Sequence, residues 1–97
     1  MNLKFAITIQ GRGGHGSRPD LSHNPVDCFA SLFPLLERLG CQVEWVDGGT
    51  TGNIIPDKLH FGGSCQEAVW DAAERAVYAI CKNYHCSATL QKRGMKE

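Results

Sequence analysis

One histidine, His15, lies among glycines in the segment GRGGHGSRPD, residues 11–20. Imidazole can donate or accept a hydrogen bond and titrates near neutral pH, so His15 is a candidate for catalysis or ligand binding. Three of the glycines also satisfy G-x-G-x-x-G, which cradles a pyrophosphate in dinucleotide-binding folds. The segment could therefore bind phosphate through its backbone, present His15 to another group, or serve as a plain connector.

The surrounding sequence argues against the dinucleotide interpretation. In that fold the third glycine opens a helix whose N-terminus faces the pyrophosphate. Here Arg18 and Pro19 follow closely after Gly16, and the first helix-start signal is Asn24. What remains is a segment whose glycines allow His15 and Arg18 to approach a ligand or another chain, or a connector with a solvated histidine.

A second glycine-rich segment, GGTTGNIIP at residues 48–56, contains a further candidate. Asn53 could offer an amide donor and a carbonyl acceptor from a fixed position, with Gly52 allowing close backbone approach. The alternative is that both residues supply only turn geometry before a strand.

Hydrophobic periodicity predicts the elements that must position these segments. Alternation over residues 3–9 predicts a strand, and Asn24 and Pro25 open a helix that ends at Gly40 and is kinked or shortened by Pro34. The apolar stripe predicted to face the core comprises Val26, Phe29, Ala30, Phe33 and Leu36.

The second half of the chain repeats this strand and helix order. Cys41, Val43 and Trp45 alternate as a second strand, residues 54–61 form a third that is irregular at Pro56, and residues 86–91 form the last. A capping box of Ser64 and Glu67 opens a helix that ends near residues 83–85. The stripe of this helix comprises Val69, Ala73, Ala76, Val77, Ile80 and Tyr84.

The order β-α-β-β-α-β predicts an α+β class ferredoxin-like sandwich, with two helices on one face of a four-stranded antiparallel sheet. Ninety-seven residues suit a single domain, here residues 1–97. Ten basic and ten acidic side chains cancel without clustering, which argues against a nucleic-acid partner. No apolar run approaches the ~18 residues of a membrane span.

Cysteine usage bears on the compartment. The five cysteines are an odd number without a C-x-x-C pair, and the N-terminus has no signal-peptide pattern. Reduced thiols in a cytoplasmic protein are therefore expected, with Cys28 and Cys81 as small core residues. Cys81, His85 and Cys86 are close in sequence, but their spacing across a helix end converges poorly on a metal ion.

The two motifs GRGGHGSRPDLSHNPVD and GGTTGNIIPD, in that order, resemble the inserted dimerisation (lid) domain of metallopeptidase family 20. The resemblance covers residues 1–90 and is strongest to the hippurate-hydrolase-like amidohydrolase branch of a family that includes aminoacylases and carboxypeptidases. It implies a larger two-domain hydrolase acting on N-acyl amino acids, related amides or peptides. Two divalent metal ions, expected to be zinc, would lie in its catalytic domain. The isolated chain has no metal site of that kind and is expected to be inactive.

The resemblance also implies residue roles. His15 matches the lid histidine that reaches the partner subunit's active site and stabilises the oxyanion of the scissile carbonyl. Asn53 matches a substrate-binding asparagine, with Gly52 beside it. A homodimer would form through the outer second strand, at Val43 and Trp45, and the adjacent first helix.

One departure concerns substrate carboxylate binding. Many family members place an arginine shortly after the third strand, where this chain has Cys65. Arg18 could substitute for that arginine, or it could be a solvated loop charge.

Two rival hypotheses remain open. A free-standing ferredoxin-like dimer could bind a regulatory ligand without catalysis, and loss of His15 would then carry no penalty. An RNA-binding domain of the same topology would need exposed aromatic side chains on the central strands and a basic sheet face. The first strand offers only Phe5, which alternates inward.

Overall fold

The computed structural model describes residues 2–11, 14–15, 24–48, 54–55 and 58–94. Within these ranges the chain forms a series of strands interrupted by two helices. In chain order they are β1 (Asn2–Gln10), β2 (Gly14–His15), α1 (Pro25–Leu39), β3 (Gln42–Asp47), β4 (Ile54–Ile55), β5 (Lys58–Gln66), α2 (Glu67–Asn83) and β6 (Ser87–Gly94).

Four of the strands form one antiparallel sheet in the order β3-β5-β1-β6. The first and third long strands are thus central, and the second, β3, lies at an edge. This arrangement confirms the predicted ferredoxin-like α+β fold. The short strands β2 and β4 pair with each other in a separate sheet.

The core lies between the helices and one face of the sheet. Leu3, Phe5, Ile7 and Ile9, every second residue of β1, are at most 5% exposed. Aromatic rings join the layers: the centroids of Phe29 on α1 and Phe61 on β5 lie 4.8 Å apart. The sequence-based stripe missed Trp70 on α2, which is buried and whose ring centroid lies 5.7 Å from that of Phe5.

Helix α1 starts and stops where predicted, but its buried face differs. Asn24 Oδ1 accepts a hydrogen bond from the Val26 N–H at 2.8 Å, and Gly40 ends the helix with φ of 98°. Val26 and Ala30 are exposed, while Cys28 and Leu32 are buried with Leu36. Apolar side chains occur on more than one face of this helix, and the i, i+4 row that fits the sheet is the buried one.

Proline does not shorten α1. The helix continues as one element through Pro34, five residues before its end at Leu39. Pro34 lies on the exposed side, between the buried side chains of Leu32 and Leu36. Burial of those neighbours offsets the lost backbone hydrogen bond.

The predicted capping box is wrong. Ser64 lies inside β5, opposite Lys4 on one side and Gln42 on the other, and α2 begins only at Glu67. Gln66 is the N-cap residue and makes no side-chain capping bond. Strand β5 therefore continues past the S-x-x-E sequence, because Ser64 pairs with strands on both sides and the neighbouring Cys65 is buried. These tertiary contacts outweigh the local preference for a helix start at Ser64.

Two strand boundaries also differ from the prediction. The expected strand at residues 54–61 divides into β4 and β5, on either side of a segment containing Pro56, which has no N–H for a ladder. Strand β6 runs to Gly94 instead of residue 91, because the nine-residue β1 offers it partners as far as Leu3. The end of α2 at Asn83 is confirmed.

Two glycines in β5 allow β3 to approach closely. A Cβ atom on Gly62 would lie 2.6 Å from the Phe5 carbonyl oxygen and from the Trp45 ring. A Cβ atom on Gly63 would collide with the backbone carbonyl oxygen of Gln42. The close pairing of the edge strand therefore depends on both positions lacking a side chain.

A bulge between Val43 and Trp45 reverses the expected direction of the Trp45 side chain. Val43 pairs with Gly63 and Trp45 with Gly62, so these two residues of β3 have consecutive partners. Val43 accordingly packs against the core, whereas the Trp45 ring lies over Gly62 on the opposite face. The expectation that Cys41, Val43 and Trp45 share one face is wrong for Trp45.

Replacing Gly63 tests this close approach. Gly63→Ala is expected to lower the free energy of unfolding by about 2 kcal/mol, because the added methyl group overpacks the β3 backbone. Gly94→Ala is the matched control, since a Cβ there meets nothing within 4 Å, and it should change stability by less than about 0.5 kcal/mol. Chemical denaturation measures both variants, and equal effects would contradict the account.

Candidate functional site

The two glycine-rich motifs meet in a short antiparallel ladder. His15 on β2 is opposite Ile54 on β4, and Gly14 is opposite Ile55. Ile54 follows Asn53 directly in the sequence. The main chain of the histidine motif is therefore hydrogen-bonded to the segment that begins after the asparagine.

Of the predicted site residues, His15 is the one that lies within the described part of this ladder. His15 lies on β2, where the structure describes the position of its backbone. Arg18, Gly52 and Asn53 lie outside the described residues, as does His23. The roles in substrate binding predicted for Arg18, Gly52 and Asn53 remain predictions.

The residues predicted for a dimer interface lie on the edge strand β3, but they occupy different surroundings. Val43 is partly buried against the core, while Trp45 is 46% exposed. Val46, which the sequence did not single out, is 49% exposed beside it. The accessible apolar surface of this edge is thus Trp45 and Val46, and α1 packs next to the strand.

A charged pair lies beside this surface. The Lys4 Nζ atom is 2.6 Å from Glu44 Oε1, and both side chains are partly exposed. The contact joins β1 to the bulged residue of β3 across β5. Solvent screening limits the stabilisation that such a pair contributes.

The face of the sheet opposite the helices carries a shallow depression of about 740 Å3. Trp45 covers Gly62 at one side, and Gln91 and Arg93 of β6 line the other. On the same face, Thr8 Oγ1 and His60 Nδ1 are hydrogen-bonded at 2.9 Å, and the His60 side chain is exposed.

All five cysteines are free thiols, and four of them are buried. Burial raises the pKa of Cys41 to about 12 and also raises the pKa of Cys65 and of Cys86. Cys65 lies within β5 and faces the core at 5% exposure. Because it faces the core, Cys65 cannot take over the carboxylate-binding role of the arginine that the family pattern places near this position.

The described part of the chain holds no group of three or more His, Cys, Asp or Glu side chains arranged to bind a metal ion. His85 has a φ of 56° and continues the turn that ends α2. Its neighbours Cys81 and Cys86 form no metal site with it. Neither described helix is long and apolar enough to cross a membrane.

Three functional features escaped sequence reasoning. The close approach of β3 to β5 could have been predicted from Gly62 and Gly63, two adjacent glycines inside a strand. The reversal of Trp45 follows from the bulge, for which β3 itself carries no local signal. The β2–β4 ladder joins residues that are distant in sequence.

The fold and the edge strand define a ferredoxin-like domain with an accessible sheet edge. Comparison with protein families shows that residues 2–85 match the peptidase dimerisation domain of the M20 family. The chain therefore belongs to this family, and the family resemblance read from its two motifs is confirmed.

Similar proteins of known function are hydrolases by name. The chain is 29% identical over 88 residues to an N-acetyldiaminopimelate deacetylase of Leuconostoc mesenteroides, covering 79% of this chain and 23% of that protein. It is 31% identical over 71 residues to the IAA-amino acid hydrolase ILR1-like 2 of Arabidopsis thaliana, covering 62% of this chain and 16% of that protein. The chain thus spans less than a quarter of the length of these relatives.

Solved structures show the same fold. Aminopeptidase PepT of Bacillus cereus superposes with a TM-score of 0.85 at 19% identity, covering 95% of this chain and 28% of that one. The aminobenzoyl-glutamate utilization protein of Klebsiella pneumoniae gives a TM-score of 0.81 at 19% identity, covering 96% and 28%.

The different exposure of the two tryptophans gives a direct test of the edge surface. Acrylamide should quench Trp45, which is 46% exposed, far more strongly than Trp70, which is 3% exposed. At low protein concentration, Trp45→Phe should therefore lower the quenching slope several-fold, while Trp70→Phe should not lower it. A quenching slope that falls more in the Trp70→Phe variant would contradict the position of Trp45.

Proposed function

We propose that this chain is the dimerisation and lid domain of a larger two-domain, metal-dependent amidohydrolase or peptidase. The family match and the fraction of each relative that the chain spans support this proposal. The names of both relatives describe cleavage of an acyl group from an amino acid. We therefore propose an N-acyl amino acid or a related amide as substrate.

The observation that carries the catalytic role is the β2–β4 ladder. It fixes the backbone of His15 against the segment that follows Asn53. Nucleophilic attack on an amide places negative charge on its carbonyl oxygen, and an imidazole N–H can donate a hydrogen bond to that oxygen. In the proposal His15 supplies this donor, Asn53 binds the substrate, and Gly52 and Arg18 border it.

The described residues do not fit a metal site, so we assign the metal ions of the parent enzyme to its catalytic domain. By this proposal the isolated domain binds no catalytic metal and hydrolyses nothing. The free thiols are consistent with a reducing, cytoplasmic location for the parent protein.

Dimerisation is proposed to use the outer edge of β3 together with α1. An edge strand presents unpaired N–H and C=O groups to a second copy, and Trp45 and Val46 add exposed apolar surface there. His15 would then serve the active site of the partner subunit.

One observation favours a second candidate, a free-standing dimer that binds a regulatory ligand. The depression beside Trp45 adjoins the edge strand, so dimerisation would place two depressions on one continuous sheet. This candidate requires no role for His15, which separates it from the lid function.

Replacing His15 in the full-length parent protein tests the catalytic role. His15→Ala is expected to lower kcat by about 10²-fold, because an oxyanion donor is lost. Metal content and circular dichroism should stay unchanged. His23→Ala, in the same part of the chain, is the matched control and should retain normal turnover. Near-normal turnover of His15→Ala would reject the proposed catalytic role of His15.

Sedimentation equilibrium of the purified chain tests the edge-strand interface. The chain should approach twice its mass of 10.6 kDa as concentration rises. Val46→Lys should abolish the dimer, since each copy would bring a positive charge into an apolar edge contact. Tyr78→Lys is the matched control, because Tyr78 is equally exposed at 50% but lies on α2, which packs over β5, β1 and β6.

Val43 is unsuitable for this experiment, because a polar residue there would also disturb the core against which it packs. A strictly monomeric wild-type chain, or a Tyr78→Lys variant as monomeric as Val46→Lys, would contradict the proposed interface.

A further inference from the structure

Two thiols meet in the core where the helices pack together. Cys28 on α1 and Cys81 on α2 are 0% and 1% exposed, and their sulfur atoms lie 3.6 Å apart. They are 53 residues apart in sequence, so the contact depends entirely on the packing of the helices. Cys86, which is partly exposed, interacts with both of these thiols.

We propose that Cys28 and Cys81 are a peroxide-sensitive thiol pair, which hydroperoxides oxidise to a disulfide that joins α1 to α2. The proposal rests on the position of the two sulfur atoms and not on the hydrolytic function of the parent protein. The two sulfur atoms must come about 1.5 Å closer than their 3.6 Å contact to reach the length of a disulfide bond.

The hydrogen bond between the thiols selects the attacking sulfur. Cys28 donates its S–H to Cys81, which lowers the pKa of Cys81 and raises that of Cys28. The thiolate is the nucleophilic form of cysteine, so Cys81 is the sulfur that attacks the peroxide. Cys28 is already in place as the resolving thiol.

The chemistry proceeds in two balanced steps. Cys81 sulfur bonds to one peroxide oxygen as the O–O bond breaks, giving a sulfenic acid and one molecule of water. Cys28 sulfur then attacks the Cys81 sulfur, the S–O bond breaks, and a second water leaves with the Cys28 proton. Hydrogen peroxide gains the two electrons that the two thiols lose.

The end of α2 provides access for the oxidant. Cys81 lies two residues before Asn83, the last residue of the helix, and the partly exposed Cys86 follows the turn. Terminal helical turns open locally at low cost in free energy. Opening of this turn would expose Cys81 while Cys28 stays in the helix layer.

A second pair of buried thiols serves as an internal comparison. Cys41 and Cys65 also interact, but burial raises the pKa of both, so neither thiol is favoured as thiolate. We expect this pair to remain reduced under conditions that oxidise Cys28 and Cys81. Oxidation of Cys41 and Cys65 under the same conditions as Cys28 and Cys81 would contradict the proposed selectivity.

Peptide mapping of the wild-type chain tests the proposal without any substitution. The chain is treated with hydrogen peroxide, its remaining thiols are alkylated, and it is digested with trypsin. Cleavage after Arg38, Lys58, Arg75 and Lys82 places all five cysteines in different peptides. The expected product is a link between the peptide ending at Arg38 and peptide 76–82, with Cys41 and Cys65 alkylated.

Two controls separate this pair from its neighbours. Cys86→Ser should leave the link unchanged, whereas Cys28→Ser should abolish it and leave Cys81 to accumulate as sulfenic or sulfinic acid. In wild type, oxidation should raise the thermal midpoint by roughly 10 °C, and dithiothreitol should reverse the rise. A link through Cys86, a link between Cys41 and Cys65, or a wild-type chain without any link would overturn the proposal.

Discussion

The edge of the main sheet depends on the close approach of β3 to β5 at Gly62 and Gly63. Side chains at these positions would collide with Phe5, Trp45 or Gln42, so the edge strand could not pair as it does. The bulge in β3 lies at this contact, and it turns the Trp45 side chain away from the core. A steric constraint in a central strand thus affects which side chains are exposed at the sheet edge.

The β2–β4 ladder has an equivalent role for the proposed catalytic residues. It forms a sheet separate from the main one, and its described part pairs Gly14 with Ile55 and His15 with Ile54. Its structural role is to pair the backbones of the two glycine-rich segments. Backbone pairing holds the histidine motif at residues 14–15 beside the end of the asparagine motif at residues 54–55.

The helix layer contributes a different chemistry from the sheet. Helix packing places two buried sulfur atoms in contact on the side of the molecule opposite the open sheet face. Small polarisable thiols fit between helices where larger side chains would not. The domain therefore combines a proposed association surface at the sheet edge with a proposed oxidation site between its helices.

The sequence by itself determined the order of the two helices and the four long strands, the fold class and the α1 caps, because alternation, helical spacing and capping are local signals. Its two glycine-rich motifs also identified the family. It also indicated correctly that β1 buries every second residue. Tertiary structure decided which face of α1 is buried, how far β5 continues past Ser64, and where Trp45 points. These features depend on sheet pairing and steric fit between residues distant in sequence, which local patterns do not encode.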